Sequence, residues 1–123
     1  MTHARRSSFP RRGEVYLVNF DPTIGAEIKR TRPALVLQND VGNRYSAVTI
    51  VAAITSHHGD PLYPQQALIR APEAGLRADS AVLLNHIRTV DKQRLVKRLG
   101  ALKPETMRQV ERALEISLGL IEI

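Results

Sequence analysis

From Glu14 to Leu102 the chain is a series of short apolar runs, each closed by Gly, Pro, Asn or Asp and none with the length or spacing of a helix. Glu14 to Phe20 is β-branched, aromatic and apolar between Gly13 and Asp21-Pro22, which predicts a first strand. Arg32 to Gln38 and Tyr45 to Thr55 predict two more, separated by a turn at Asn39-Asp40-Val41-Gly42-Asn43. Ser56 to Pro64, with two histidines, Gly59 and two prolines, predicts a long exposed loop. Gln65 to Arg70 alternates in character as a short strand does, and Ser80 to Val90 is long enough to bend near Asn85. Asp91 to Lys97 suits one or two helical turns under an Asp cap, and Arg98 to Leu102 a last short strand.

The pattern then changes period. Pro104 suits a helix's first turn, and Met107, Val110, Leu114 and Leu118 recur every three or four residues before Gly119 stops the run. Antiparallel strands followed by one amphipathic helix predict a mainly β protein, a small half-open SH3-like β-barrel with a C-terminal helix packed over it. Residues 1–12, rich in arginine and without apolar periodicity, read as a flexible basic tail, and 13–123 as a single domain.

Composition narrows the function classes. The chain has 123 residues and no cysteine, so disulfides, thiolate metal sites and cysteine nucleophiles are excluded. The longest apolar run, Ala47 to Ile54, falls far short of the roughly 20 residues of a membrane span, and Met1 to Arg12 lacks the apolar stretch of a signal peptide; a cytoplasmic protein is expected. Eighteen Lys and Arg against twelve Asp and Glu leave a net charge of +6, which favours polyanionic partners.

Among possible sites, His57-His58 with Asp60 lacks the spacing of a metal site, since adjacent histidines on an extended loop point apart. No Gly-x-Ser-x-Gly elbow and no phosphate-cradling glycine loop is present. What remains is the stretch Gly25 to Leu37, which places Glu27, Lys29, Arg30 and Arg32 in a loop running into Pro33 and an apolar strand. If the second and third strands pair antiparallel, the start of one (Arg32) meets the end of the other (Thr55), because antiparallel neighbours exchange ends.

The motifs Gly13-Glu14-Val15-Tyr16, Asp21-Pro22-x-x-Gly25-x-Glu27, Arg32-Pro33, Gln38-Asn39-Asp40, Val51-Ala52-Ala53-Ile54-Thr55 and Ile87-Arg88-Thr89-Val90-Asp91-Lys92, in that order over residues 12 to 119, resemble the MazF/PemK toxin family. The resemblance implies the MazF/PemK/CcdB-like toxin fold and a sequence-specific, metal-independent endoribonuclease that acts on single-stranded RNA without a cofactor. It also implies a homodimer, silenced by a cognate MazE-like antitoxin whose C-terminal part covers the RNA groove. Carried onto this chain, the catalytic residues are Arg32 and Thr55, with Glu27 as the loop carboxylate. RNA contacts fall to Ala26, Lys29, Arg30, Ser56, His57, Tyr63, His86 and Arg88. Ala26 is a departure, because many relatives have serine there. The alternative reading is a non-catalytic interaction module, since related toxins use the same barrel to bind and poison DNA gyrase.

Chemistry fits the first reading. RNA carries its own nucleophile, the 2′-hydroxyl, so a protein need only align it, neutralise developing charge and protonate the leaving 5′-oxygen. The expected products are a 2′,3′-cyclic phosphate and a 5′-hydroxyl. Arg32 suits a phosphate clamp and proton donor better than a base, because a guanidinium holds its proton.

Overall fold

The computed structural model describes residues 9–22, 24–27 and 30–123. Six strands, β1 (Glu14–Asn19), β2 (Thr31–Val36), β3 (Val48–Thr55), β4 (Gln66–Ile69), β5 (Ser80–Asp91) and β6 (Leu95–Ala101), form one antiparallel sheet in the order β4-β5-β3-β2-β1-β6. Two α-helices complete the fold, α1 (Asp40–Tyr45) and α2 (Pro104–Ser117). β4 and β6 are the two edges and do not pair, so the barrel is half open, as the run pattern predicts.

Alternation sorts the strand residues onto two faces. One face carries Val15, Leu35, Ala52, Ile54, Ile69, Val82 and Leu84, and α2 packs Val110 and Ala113 against it. The other carries Val18, Phe20, Ala34, Val36, Val51, Ala53 and Val90. β5 bends where it was expected to. Its pairing with β3 passes from Ala52↔Ile87 to Ile54↔Val82, so Leu83, Leu84, Asn85 and His86 stand opposite Ala53 alone. That bulge lets one strand pair with β3 along its length and with β4 at its start.

The expected turn at Asn39 to Asn43 is instead the start of α1, and β3 accordingly begins at Val48 rather than Tyr45. The helix is short but held at both ends of a polar network. Asn39 caps it by accepting from the Gly42 amide at 2.8 Å. Asn43, fully buried, accepts from the Thr49 hydroxyl (2.6 Å) and the Gln38 side-chain amide (3.1 Å), and donates to the Gln38 carbonyl (2.8 Å) and Asp40 (3.2 Å). Lys92 Nζ donates to its carbonyl. The blocks Gln38-Asn39-Asp40 and Asp91-Lys92 thus hold β2, β3 and β5 together.

Residues 10 and 12, just before Gly13, pack against the rest of the chain. Pro10 is buried, the Arg12 amide donates to Asp40 at 2.7 Å, Arg12 Nε donates to the Leu37 carbonyl at 3.0 Å, and its guanidinium pairs with Glu111 of α2 at 3.0 Å. The Arg12 amide, with the Asn43 side chain and the charges of Arg11 and Arg12, holds the Asp40 carboxyl below the usual carboxylate range. The expectation for residues 1–8 lies outside the described residues.

The helical turn expected after Asp91 is a 3-10 turn, Lys92–Arg94, with the Asp91 carboxylate accepting from the Gln93 amide at 2.8 Å. α2 begins at Pro104 as expected, but Leu118, expected on its buried face, follows the helix as its C-cap and is 58% exposed; Thr106 and Ala113 are buried beside Val110 instead. Among the described residues no helix is long and apolar enough to cross a membrane.

Candidate active site

The site lies where β2 begins and β3 ends. β2 and β3 pair Ala34↔Ala53, Leu35↔Ala52 and Val36↔Val51, and the same register carried two residues further sets Arg32 opposite Thr55. Both line a cavity of about 420 Å³ at this end of the barrel, together with Ser56. Thr55 is half-buried, and its hydroxyl oxygen accepts from the His57 amide at 3.0 Å, which turns the chain out of β3 into its loop. Arg32 is exposed at the start of β2, just before Pro33, whose own ring removes one ladder donor.

Glu27 belongs to a neighbouring cavity of about 270 Å³, lined also by Phe20, Ala53, Asn85, His86, Ile87 and Arg88. Its carboxylate accepts from the Ile24 amide at 2.8 Å and its own amide donates to the Ile24 carbonyl at 3.2 Å, so it closes a tight turn in which Gly25 has φ +60°. Arg32 and Thr55 share one cavity, and Glu27 faces the next with His86 and Arg88. The two cavities are linked through β3, where Ala53 and Thr55, two residues apart, point to the same face.

Arg88 supports the second cavity from below. It sits opposite Val51, donates to the Phe20 carbonyl at 2.8 Å and lies 5.7 Å from the Phe20 ring centroid, which spends the guanidinium on structure as much as on a ligand.

The loop between β1 and β2 is clasped at its base. The Phe20 amide donates to the Arg30 carbonyl, the Arg30 amide donates to Asp21 at 2.9 Å, and Arg94 donates to the carbonyls of Asn19 and Asp21. Arg30 adopts φ 67°, uncommon for a residue with a side chain, and this turns the chain into β2 just before Arg32. Ala26 and Arg30 are exposed on this loop, while Lys29 lies outside the described residues. Ser56 and His57 follow Thr55 directly, and Tyr63, at the far end of the same loop, is 67% exposed with its amide donating to Gln66. His57 and His58 are both exposed, His58 facing the Gly59 carbonyl at 3.2 Å, and among the described residues no group of three metal-ligating side chains gathers.

Three lining residues have no signal in the local sequence: Arg77 and Lys97 beside Arg32 and Thr55, and Asn85 beside Glu27. Lys97 arrives through the pairing of β6 with β1, a contact between strands distant in the chain, and Arg77 through the segment that enters β5.

A half-open antiparallel barrel with a cation-lined cavity at paired strand ends, and a clasped charged loop beside it, defines a small anion-binding barrel protein. The comparisons with known proteins make that class specific. A family model described as PemK-like, MazF-like toxin of type II toxin-antitoxin system matches residues 11–118. Endoribonuclease EndoA of Bacillus subtilis (strain 168) is 46% identical over 112 residues, covering 91% of this chain and 97% of that protein. Among solved structures, MazF (Form-I) from Deinococcus radiodurans is 27% identical with a TM-score of 0.78, over 92% of this chain and 99% of that one. An endoribonuclease in complex with its cognate antitoxin from Mycobacterial species shares the fold, with a TM-score of 0.77 over 93% of this chain and 99% of that one at 24% identity. The chain belongs to the PemK-like, MazF-like toxin family of type II toxin-antitoxin systems.

Proposed function

We propose that this endoribonuclease toxin of the MazF/PemK type cleaves single-stranded RNA at the cavity lined by Arg32 and Thr55. The observation that carries the reading is the β2–β3 register, which brings an arginine and a hydroxyl from sequence-distant strand ends to one cavity. The RNA 2′-oxygen attacks the adjacent phosphorus as its proton passes to solvent, the bond to the 5′-oxygen breaks, and that oxygen takes a proton from Arg32, which solvent restores, so that the net change is transfer of one proton from O2′ to O5′. The products are a 2′,3′-cyclic phosphate and a 5′-hydroxyl, and neither water nor a metal ion enters the balance. Arg32 neutralises the charge growing on the equatorial oxygens and protonates the leaving group, and Thr55 donates its hydroxyl proton to the same phosphate while its oxygen holds the His57 amide. Glu27, His86 and Arg88 hold the RNA along the adjoining cavity, and Ala26, Lys29 and Arg30, neighbours of Glu27 in the sequence, add further RNA contacts. Ser56, His57 and Tyr63 take the strand beyond Thr55, Tyr63 by stacking on a splayed base.

The protein works in the cytoplasm as a homodimer, for which the exposed C-terminal apolar residues speak, and is silenced by a MazE-like antitoxin laid over this basic groove. The mycobacterial neighbour of the same fold, solved with its cognate antitoxin, supports that partner class.

The test is incubation of the full chain with a long single-stranded RNA in EDTA, followed by mapping of both ends. Cyclic phosphate and 5′-hydroxyl ends are expected, with kcat falling about 100-fold or more in Arg32→Ala and in Thr55→Ala, and with His57→Ala still cleaving. Absence of cleavage in EDTA, or loss in His57→Ala with retention in Arg32→Ala, overturns the reading.

A further inference from the structure

We infer that Arg77 and Lys97 form a phosphate-binding subsite on the same cavity as Arg32 and Thr55, holding RNA phosphates that flank the one being cleaved. The inference rests on the ribonuclease reading and extends it to residues that neither the family motifs nor the local sequence points to.

The cavity, about 420 Å³, is on the scale of a ligand site. Among the described residues its lining has three cations, Arg32, Arg77 and Lys97, and no carboxylate. Several cations elsewhere are spent on the fold itself. Arg98, next to Lys97, pairs with Glu14 at 2.6 Å, Arg12 pairs with Glu111 at 3.0 Å, and Arg88 and Arg94 donate to backbone carbonyls. Among the described residues neither Arg77 nor Lys97 forms an ion pair. The acid closest in sequence to Arg77, Asp79, accepts from the Ala71 amide at 2.8 Å. Two exposed cations that line one cavity, with no carboxylate among its described lining residues, repel each other, and a phosphate diester relieves that repulsion.

Both cations are held on fixed backbone. Leu17 pairs with Pro33 on one side and with Lys97 on the other, so Lys97 stands two strands from Pro33, about 10 Å away at the usual interstrand spacing of about 4.8 Å. Arg77 follows Leu76, which is buried and donates its amide to the Glu73 carbonyl, closing the 3-10 turn Glu73–Gly75. That turn is seated on β6, the strand of Lys97, so closely that a Cβ at Gly100 would stand 2.6 Å from the Ala74 carbonyl carbon. The backbone positions of the pair are thereby fixed, and the occupant is the RNA strand, whose phosphates continue on both sides of the one held by the arginine and threonine of this cavity.

The experiment compares the full chain with the double variant R77A/K97A. Binding is measured with an RNA oligonucleotide carrying a 2′-deoxy residue at the cleaved position, and kinetics with its all-ribose parent. Both side chains are exposed, so the variant is expected to unfold at the wild-type midpoint. KM is expected to rise about 10-fold or more with kcat unchanged, and the slope of log Kd against log salt to fall by roughly 0.7 to 1.4, about 0.7 for each lost phosphate contact. Lys97→Arg is expected to keep wild-type affinity. An unchanged KM and salt slope overturns the subsite, as does a loss confined to kcat, or weakened antitoxin binding with RNA binding intact. A wild-type chain that binds the deoxy oligonucleotide but cleaves no RNA overturns the ribonuclease reading instead.

Discussion

Gly100 has no room for a side chain. A Cβ built there would lie 2.6 Å from the Ala74 carbonyl carbon and 2.8 Å from its Cα, both backbone atoms that cannot rotate away. Ala74 itself has φ 58°, so the turn has already adopted an unusual backbone conformation to lie on β6. Gly100→Ala is therefore expected to destabilise the protein by about 1–3 kcal/mol, the range of overpacking, with the denaturant midpoint falling at constant m-value. An unchanged midpoint would mean that the turn and strand separate at no cost. Residue-scale features of this kind are poorly legible in a sequence. The Arg32 and Thr55 pair was legible because antiparallel strands must exchange ends, whereas the same cavity's Lys97 depends on β6 returning to β1, which no local pattern announces. Glu27 lines the adjoining cavity, and its carboxylate accepts from the Ile24 amide of its own loop.

Among the elements, α1 is the one that the residue pattern hid. Asn39-Asp40-Val41-Gly42-Asn43 has the composition of a turn, and the helix forms there because its polar side chains have partners elsewhere in the fold. Asn43 bonds Gln38, Asp40 and Thr49, on the connection after β2, on α1 itself and on β3. Asn43→Ala is expected to cost at least about 2 kcal/mol, since it leaves the buried Thr49 hydroxyl and the Gln38 groups without acceptor and donor. Asn39→Ala removes only a cap and is expected to cost about 1 kcal/mol. Chemical denaturation of both variants checks the order, and an equal effect would reduce Asn43 to a capping role. α2 was the most legible element, for proline at its first turn and a regular apolar spacing are local signals. The spacing overreached by one residue, because periodicity alone does not register that the helix has ended at Ser117.

At the scale of the whole molecule, three of the exposed large apolar side chains follow one another closely at the C-terminus. Leu118, Leu120 and Ile123 are 58%, 69% and 89% exposed, beyond the end of the helix that closes the core. Their position frees them from any duty within the subunit, since α2 already buries Val110 and Ala113 against the sheet. An apolar patch of this kind covered by a second copy of the chain accounts for the proposed homodimer without disturbing the barrel. Leu120→Asp places a charge in that interface and, if the side chain is desolvated there, weakens association by about 10-fold or more. Sedimentation equilibrium is expected to show the variant shifting from dimer toward monomer across the micromolar range, with the unfolding cooperativity of the subunit preserved. An unshifted equilibrium would remove the C-terminal segment from the interface, and a variant that unfolds would return Leu120 to the subunit's own core.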